Sequence, residues 1–286
     1  MKIAVLSGKG GTGKTFVSVN LTYVADNYTL SLHDALPIYG HLYFKPEIVK
    51  REKIYVKIPM VDNESCNGCR MCVEFCKFNA LAYIKNKVFV FENICHSCGG
   101  CMLLCPENAI TEKDKEIGEI QEGFFNNSNI YTGILNTGEE TGVTIIKRLL
   151  NSADDKPYTF IDCPPGSSCS VMESIKNADY CILVAEPTLF GVHNFNMVYN
   201  LVKLFDIPFG AVLNKCLESD NPAEKYCMEN NIKVLCRIPF ENELGKLNSN
   251  GEIASLQKEK YHSLFSSLLK SIEQEVGNET IIDIKR

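Results

Sequence analysis

The run Gly8-Lys9-Gly10-Gly11-Thr12-Gly13-Lys14-Thr15 constrains this chain more than any other stretch. Its spacing, G-x-x-x-x-G-K-[ST], is that of a phosphate-binding loop, which works only between a strand and the first turn of a helix. Both neighbours are in the sequence. Lys2–Leu6 is a short apolar run suited to a buried parallel strand, and Phe16–Ala25 carries Phe16, Val19, Tyr23 and Val24 close to helical spacing. The glycines let successive N–H groups curl inward at phosphate oxygens, and the helix start adds its positive end. Lys14 is placed to reach the outer phosphates, and Thr15 to offer its hydroxyl to Mg²⁺.

Composition bounds what surrounds this loop. A chain of 286 residues suits one large α/β domain, or one with a smaller module attached. The net charge of −6 leaves no basic excess for nucleic-acid binding driven by phosphate contacts. No apolar run approaches a membrane span, and the start does not read as a signal peptide. Fourteen cysteines without an export signal point to reduced thiols or metal ligands, and so to a cytoplasmic protein.

Cysteine density rises abruptly after Val61. Cys66, Cys69, Cys72 and Cys76 form C-x₂-C-x₂-C-x₃-C, and Cys95, Cys98, Cys101 and Cys105 repeat it with Pro106 following. Thiolates at this spacing wrap three corners of a cubane from one tight loop, while the fourth ligates the other cluster. Cys66, Cys69 and Cys72 with Cys105 are therefore expected to hold one [4Fe–4S] cluster, and Cys95, Cys98 and Cys101 with Cys76 the second. Paired C-x₂-C also suits tetrahedral zinc, but two complete tandem runs favour cubanes. Ala80-Leu81 and Ala109-Ile110 are placed to pack against the cluster faces. Ile58–Lys113 resembles a bacterial two-cluster ferredoxin, with Lys77 where a proline would follow the first run.

Beyond the cysteines, Glu116–Leu135 reads as one or two short strands turning at Asn126–Asn129, and Thr141–Leu150 as a helix, with Asn151–Lys156 a polar loop out of it. Tyr158–Ile161 is a buried strand ending at Asp162, which is where an open α/β sheet binds its ligands. Asp162 is thus the expected Mg²⁺-shell carboxylate. In Asp162-Cys163-Pro164-Pro165-Gly166 the prolines stiffen the turn, and Gly166 leaves an amide to approach an outer phosphate. Tyr180–Ala185, Phe209–Leu213 and Ile232–Cys236 read as further strands. His193 is placed at the start of a helix, and Ser255–Val276 reads as an amphipathic closing helix.

Together Lys9-Gly10-Gly11-Thr12-Gly13-Lys14-Thr15 and Asp162-Cys163-Pro164-Pro165-Gly166 resemble the two-lysine phosphate loop and the D-x-P-P-G turn of the MinD/ParA family of P-loop ATPases, in the branch carrying an inserted ferredoxin domain. The resemblance implies an α/β fold: a mostly parallel P-loop NTPase sheet with helices on both faces, interrupted by a small α+β bacterial ferredoxin-like domain. It implies an ATPase in two segments, residues 1–57 and 114–286, around an insert at 58–113. It implies ATP and Mg²⁺ bound at a homodimer interface, with Lys9 reaching the partner copy's nucleotide and Asn214 reading the adenine edge. Catalysis then rests on Lys9, Lys14 and Asp162.

The family's second strand and its Asp-x-Asp are not expected here. Ser31–Ile38 shows neither, Leu30–Tyr39 falls outside the resemblance, and Leu32–Ile38 reads as the translation of a sequencing-library adapter that has overwritten native residues. Of the cysteines outside the insert, Cys181 and Cys236 read as core, while Cys163 and Cys169 flank the D-x-P-P-G turn, where Cys169 is a candidate ligand or redox residue. Cys216 and Cys227 form no C-x-x-C pair. The functional expectation is ATP-coupled electron transfer through two [4Fe–4S] clusters to a partner enzyme. The alternatives are delivery of metal or clusters to an apo-protein client and, last, a ParA-like positioning ATPase.

Overall fold

β1 (Lys2–Leu6) lies inside the sheet and buries its side chains on both faces. The computed structural model of the chain describes residues 1–25, 28–34, 40–126, 128–152, 157–217 and 221–283. Ile3 and Val5 enter one apolar core, and Ala4 and Leu6 the other. A strand covered on both faces must be apolar throughout, which is why Lys2–Leu6 shows no alternation.

The chain continues through α1 (Lys14–Val24), β2 (Tyr28–Asp34), α2 (Gly40–Phe44) and the long β3 (Glu47–Val61). The cysteine-rich module follows: α3 (Met71–Phe75), the hairpin of β4 (Leu81–Ile84) and β5 (Lys87–Val90), a 3₁₀ turn (Glu92–Ile94) and α4 (Gly100–Leu103). β6 (Ile110–Phe125) returns to the main sheet, then come β7 (Ser128–Leu135), α5 (Val143–Ser152), β8 (Tyr158–Asp162), α6 (Cys169–Ile175), β9 (Tyr180–Ala185) and α7 (Leu189–Leu204). β10 (Phe209–Cys216), α8 (Pro222–Glu229), β11 (Val234–Pro239), α9 (Asn242–Ser249), α10 (Ala254–Gln257) and α11 (Glu259–Asp283) complete it.

Among the described residues the main sheet has nine strands in the order β11–β10–β9–β1–β8–β2–β7–β6–β3. From β11 to β7 every pairing is parallel, and β6 and β3 join antiparallel at one edge. On one face Phe16 of α1 meets Phe265 of α11 edge-on at 5.7 Å, inside the core that also takes Leu268 and Ile272. The other face is closed by Val171 and Ile175 of α6, Phe195, Val198 and Val202 of α7, and Ala223 and Cys227 of α8. Each such fully buried aliphatic or aromatic side chain contributes about 1.5–3 kcal/mol.

β3 and β6 position the cysteine-rich module. Gly118 pairs with Leu135 at the carboxyl end of β7, so everything in β6 before Gly118 projects past that edge of the sheet. It projects as a two-stranded ribbon, paired with β3 from Tyr55–Glu116 out to Val61–Ile110. The register slips between Ile54 and Tyr55, and the surplus residue, Ile117, is buried and accepts from the Asn136 amide at 2.8 Å. This bulge bends the ribbon where it leaves the sheet. At about 3.3 Å per residue, Tyr55–Val61 carries the module roughly 20 Å outward. The same edge holds the carboxyl ends of β1 and β8, hence the phosphate loop and Asp162. The ribbon root is covered by α5, with Ile54, Ile117, Ile120, Tyr131, Leu135, Ile145 and Leu149 in one cluster. Its outer face pairs Lys57 with Asp114 at 2.9 Å, Lys53 with Glu116 at 2.8 Å and Arg51 with Glu119 at 3.0 Å. Charges of this kind discourage edge-to-edge pairing more than they stabilise.

Several expectations change. Glu116–Leu135 holds two strands, but the first starts earlier than expected: β6 spans Ile110–Phe125, because the consecutive charges of Glu112–Glu116 hide its beginning, and of the expected turn residue 127 lies outside the described residues. β3 and β6 run straight through residues 57/58 and 113/114, so those junctions fall inside strands. Ser31–Asp34, expected to lack a strand, belongs to β2 (Tyr28–Asp34), seated in parallel between β8 and β7 with Leu30 opposite Phe160 and Ile130. Tyr28, Leu30 and Leu32 alternate with Thr29, Ser31 and His33, and backbone pairing on both sides makes a fully apolar run unnecessary. The rest of Leu32–Ile38, from residue 35, lies outside the described residues. The helix expected at Thr141–Leu150 runs over Val143–Ser152, and of the polar loop after it residues 153–156 lie outside the described residues. The helix holding His193 opens at Leu189, capped by the Thr188 hydroxyl, which accepts from the Gly191 amide at 2.9 Å. The closing helix is two, because Lys258 is extended between α10 and α11.

Leu149→Ala tests whether α5 anchors the ribbon root. Truncating this fully buried side chain should lower stability by about 2–5 kcal/mol, read by denaturant unfolding.

Candidate functional site

The loop after β1 turns into α1 through Gly13, whose φ of 94° lies in the left-handed region. A Cβ there would stand 2.0 Å from Nδ2 of Asn214, so glycine is required on two counts. Gly8 is equally confined, since a Cβ would fall 1.9 Å from the Asn194 carbonyl of α7. Gly10 and Gly11 face open space. Ser7, Lys9–Phe16, Tyr43, Asn248 and Ser249 line a cavity of about 380 Å³ over the loop.

Asp162 at the end of β8 draws the loop residues together. Its Oδ2 accepts from the Thr15 hydroxyl at 2.7 Å, and its Oδ1 accepts from Ser18 Oγ at 3.1 Å and from Lys14 Nζ at 3.3 Å. Thr15 and Asp162 thus present paired oxygen donors beside a half-buried lysine, a donor set that fits a hard divalent cation such as Mg²⁺. Ser18 was not singled out from sequence. Its signal is a hydroxyl one helical turn after Lys14 on a face that buries completely.

Lys9 is held within its own chain. Its Nζ pairs with Glu186 Oε2 at 2.7 Å and lies 5.1 Å from the Phe190 ring centre. The other oxygen of Glu186 binds Lys215 at 2.6 Å, and Lys215 also donates to the Gly11 carbonyl at 2.8 Å. Burial opposes ionisation of Glu186, but the Lys215 and Lys9 hydrogen bonds outweigh it and hold its carboxyl below the usual range. Glu186 belongs to no motif in the sequence. The signal was a carboxylate at the carboxyl end of a central parallel strand. Leu189 and Phe190 beside it are 80% and 63% exposed, an apolar rim on the nucleotide side.

Two expected contacts differ. The Gly166 amide donates to the Ser7 carbonyl at 2.9 Å, so it meets a phosphate only after that bond breaks. Asn214 is buried and donates to the Thr12 carbonyl at 2.7 Å, which braces the loop. It also lines, with Phe16, Pro239, Phe240 and Leu244, a neighbouring cavity of about 180 Å³. Tyr43, unremarked in the sequence, donates to Asn248 Oδ1 at 2.7 Å, and burial, with the Asp162 charge second, pushes its phenol up to about 12.

The eight module cysteines separate into two cavities. Cys76, Cys95, Cys98 and Cys101 line one of about 260 Å³ together with Phe75, Phe78 and His96. Cys66, Cys69, Cys72 and Cys105 line the other, which closes to about 10 Å³. The fourth cysteine of each run stands with the opposite set, as the spacing predicts. The two loops are built alike. Gly68 and Ser97 occupy matching left-handed positions (φ 75° and 53°), as do Arg70 and Gly99 (63° and 70°). Four thiols around an apolar-walled cavity of the larger size fit a cubane, while the smaller cavity must open for one. Burial raises the Cys72 and Cys95 thiols and pushes Cys101 up to about 11, so ligation must displace protons. Ala80, Leu81, Ala109 and Ile110 are buried beside them. Of the other cysteines, Cys163 is core, its thiol raised by burial, and Cys169 is exposed at the start of α6. Cys181, Cys227 and Cys236 are buried and Cys216 is half-buried.

Comparison with known proteins agrees with this division. Residues 65–110 match the family model for a 4Fe-4S dicluster domain. The chain is 30% identical over 226 residues to the uncharacterized protein MJ0579 of Methanocaldococcus jannaschii, covering 77% of this chain and 82% of that protein. It is similar in fold to the cell division ATPase MinD of Pyrococcus furiosus, with a TM-score of 0.59 and 19% identity over 96% of this chain and 98% of that one. The septum site-determining protein MinD of Pyrococcus horikoshii, solved with Mg-ADP, gives 0.59 and 18% over 95% of each chain. Among the described residues no helix is long and apolar enough to cross a membrane.

Thr15→Ala should weaken nucleotide binding about tenfold in the presence of Mg²⁺ and leave it unchanged in EDTA, measured by calorimetric titration. The Glu186 clasp has its own pH window. A carboxyl held below its unfolded value stabilises fully above about pH 4.5 and loses that contribution as pH falls through the lowered value. Glu186→Gln should flatten that acid limb in a pH series of unfolding curves.

Proposed function

The chain belongs to one family with MJ0579, with the fold of the MinD/ParA P-loop ATPases and a 4Fe–4S dicluster ferredoxin domain set into it, and from that premise we propose that it couples ATP hydrolysis to electron transfer through two [4Fe–4S] clusters to a partner enzyme. One observation carries this reading. The cysteine module stands on a ribbon continuous with the ATPase sheet and leaves that sheet by the edge that holds the phosphate loop.

The chain's own residues divide the work. Backbone amides from Gly8 to Thr15 bind the phosphates, and Lys14 neutralises the outer ones as ATP and water become ADP and phosphate. Thr15 and Asp162 would hold Mg²⁺, which supplies charge neutralisation between the outer phosphates. Asn214 braces the loop from beneath and lines the neighbouring cavity, where its carboxamide would read an adenine edge. Lys9 serves the nucleotide of a second copy, once Glu186 releases it to a homodimer interface rimmed by Leu189 and Phe190. The eight cysteines hold the clusters, whose chemistry is one-electron transfer. Ligation by eight thiolates from one module favours keeping clusters over handing them to a client.

The test is anaerobic. Reduced, iron-loaded protein is incubated with ATP and candidate apo-proteins or electron acceptors. Retained iron with ATP-dependent oxidation supports the proposal, and loss of iron to the apo-protein supports delivery instead. Lys9→Ala should keep nucleotide affinity but lose about a thousandfold in ATP turnover, since a charge supplied in trans acts on the transition state. Wild-type turnover per chain should rise with protein concentration.

A further inference from the structure

Lys115 is shared by the two halves of the molecule. It lies on the projecting part of β6, opposite Val56. On the module side its Nζ donates to the Glu92 carbonyl at 3.1 Å and to Asn93 Oδ1 at 3.0 Å, just before Cys95. On the ATPase side it meets both carboxylate oxygens of Glu139, at 2.7 and 2.9 Å. The two side chains are 14% and 13% exposed, unlike the well-solvated pairs elsewhere on the ribbon. Glu139 belongs to the loop between β7 and α5, at the carboxyl edge of the sheet. Its amide donates to Asn136 O at 3.2 Å, and Asn136 is tied through its own amide to Ile117 at the ribbon bulge.

We infer that Lys115 is a positioning residue through which the ATPase body sets the reduction potential of the cluster held by Cys76, Cys95, Cys98 and Cys101, with Glu139 as its counter-charge. The inference rests on the functional reading above, since it requires a cluster at those four thiols. One-electron reduction adds a negative charge to the cluster, so a nearby cation favours the reduced form. A withdrawn ammonium is poorly screened, and its effect outlasts added salt. Glu139 cancels part of that charge. A shift of the loop that draws Glu139 away exposes Lys115 to the cluster and makes reduction easier. The loop and the phosphate site share one edge, so movement at the nucleotide has a short route to this pair.

The experiment is a redox titration followed by electron paramagnetic resonance, on iron-loaded full-length protein without nucleotide. Lys115→Gln should make reduction of one of the two clusters harder by about tenfold in equilibrium constant, which is about 59 mV for one electron. Glu139→Gln should shift the same cluster the opposite way, and Lys115→Arg should restore the wild-type value. A strut without electrostatic influence predicts otherwise: both glutamine variants loosen one joint, so potentials move together or stay put, and either result overturns the inference. If wild-type protein takes up no iron, the functional reading falls and this inference with it. Unshifted potentials on fully loaded variants overturn the inference alone.

Discussion

A ladder of backbone hydrogen bonds runs from β1 through β8, β2 and β7 to β6 and β3, and then, past one bulge, out along the ribbon to the cysteine module. Most of what this protein can do follows from that continuity. A module tethered by a flexible linker would report nothing about the sheet it came from. A module on a paired ribbon inherits the orientation of the strands beneath it. At about 4.8 Å between neighbours, β6 stands roughly 19 Å from β1, so phosphate site and clusters are separated laterally as well as outward. Any coupling between them would pass through packing and charge rather than contact.

Two charged junctions stand at the ends of that route, one at the phosphate loop and one at the ribbon, and both use a carboxylate shared with lysine. Glu186 holds Lys9 and Lys215 at the phosphate loop, and Glu139 holds Lys115 at the ribbon bend. Partly buried pairs of this kind add little net stability, because desolvation offsets attraction. Their value is positional, since each has a definite geometry that a new charge or a moved loop can undo. The phosphate of a nucleotide would compete for Lys9 and Lys215, and reduction of a cluster would strengthen the hold on Lys115. Each site thus has a lever on its own clasp.

The chemistry-bearing runs were legible in the sequence because their function fixes spacing. The phosphate loop needs a glycine at Gly13 for both its left-handed backbone and the approach of Asn214, and the cysteine runs need one separation to surround a cubane. The strand–loop–helix context and the crossing of Cys76 and Cys105 were readable for the same reason. What escaped was structure set by long-range partners. β3 and β6 carry a charge at nearly every second residue, and only their mutual pairing and the cover of α5 reveal a sheet edge. β2 is a strand because β8 and β7 leave a slot for it. Ser18, Tyr43, Glu139 and Glu186 matter through neighbours that are distant in the chain, which no local pattern announces. The Gly166 amide shows the converse: a motif gives the residue, while the structure shows that Ser7 holds it.

The central claim is that the nucleotide site and the clusters feel one another through this framework. It is tested most directly by measuring the midpoint potentials of both clusters in the same iron-loaded protein, with and without a non-hydrolysable ATP analogue and Mg²⁺, after binding of the analogue has been verified. The account predicts that at least one potential moves when the analogue binds. Identical potentials in the bound and unbound protein would contradict it.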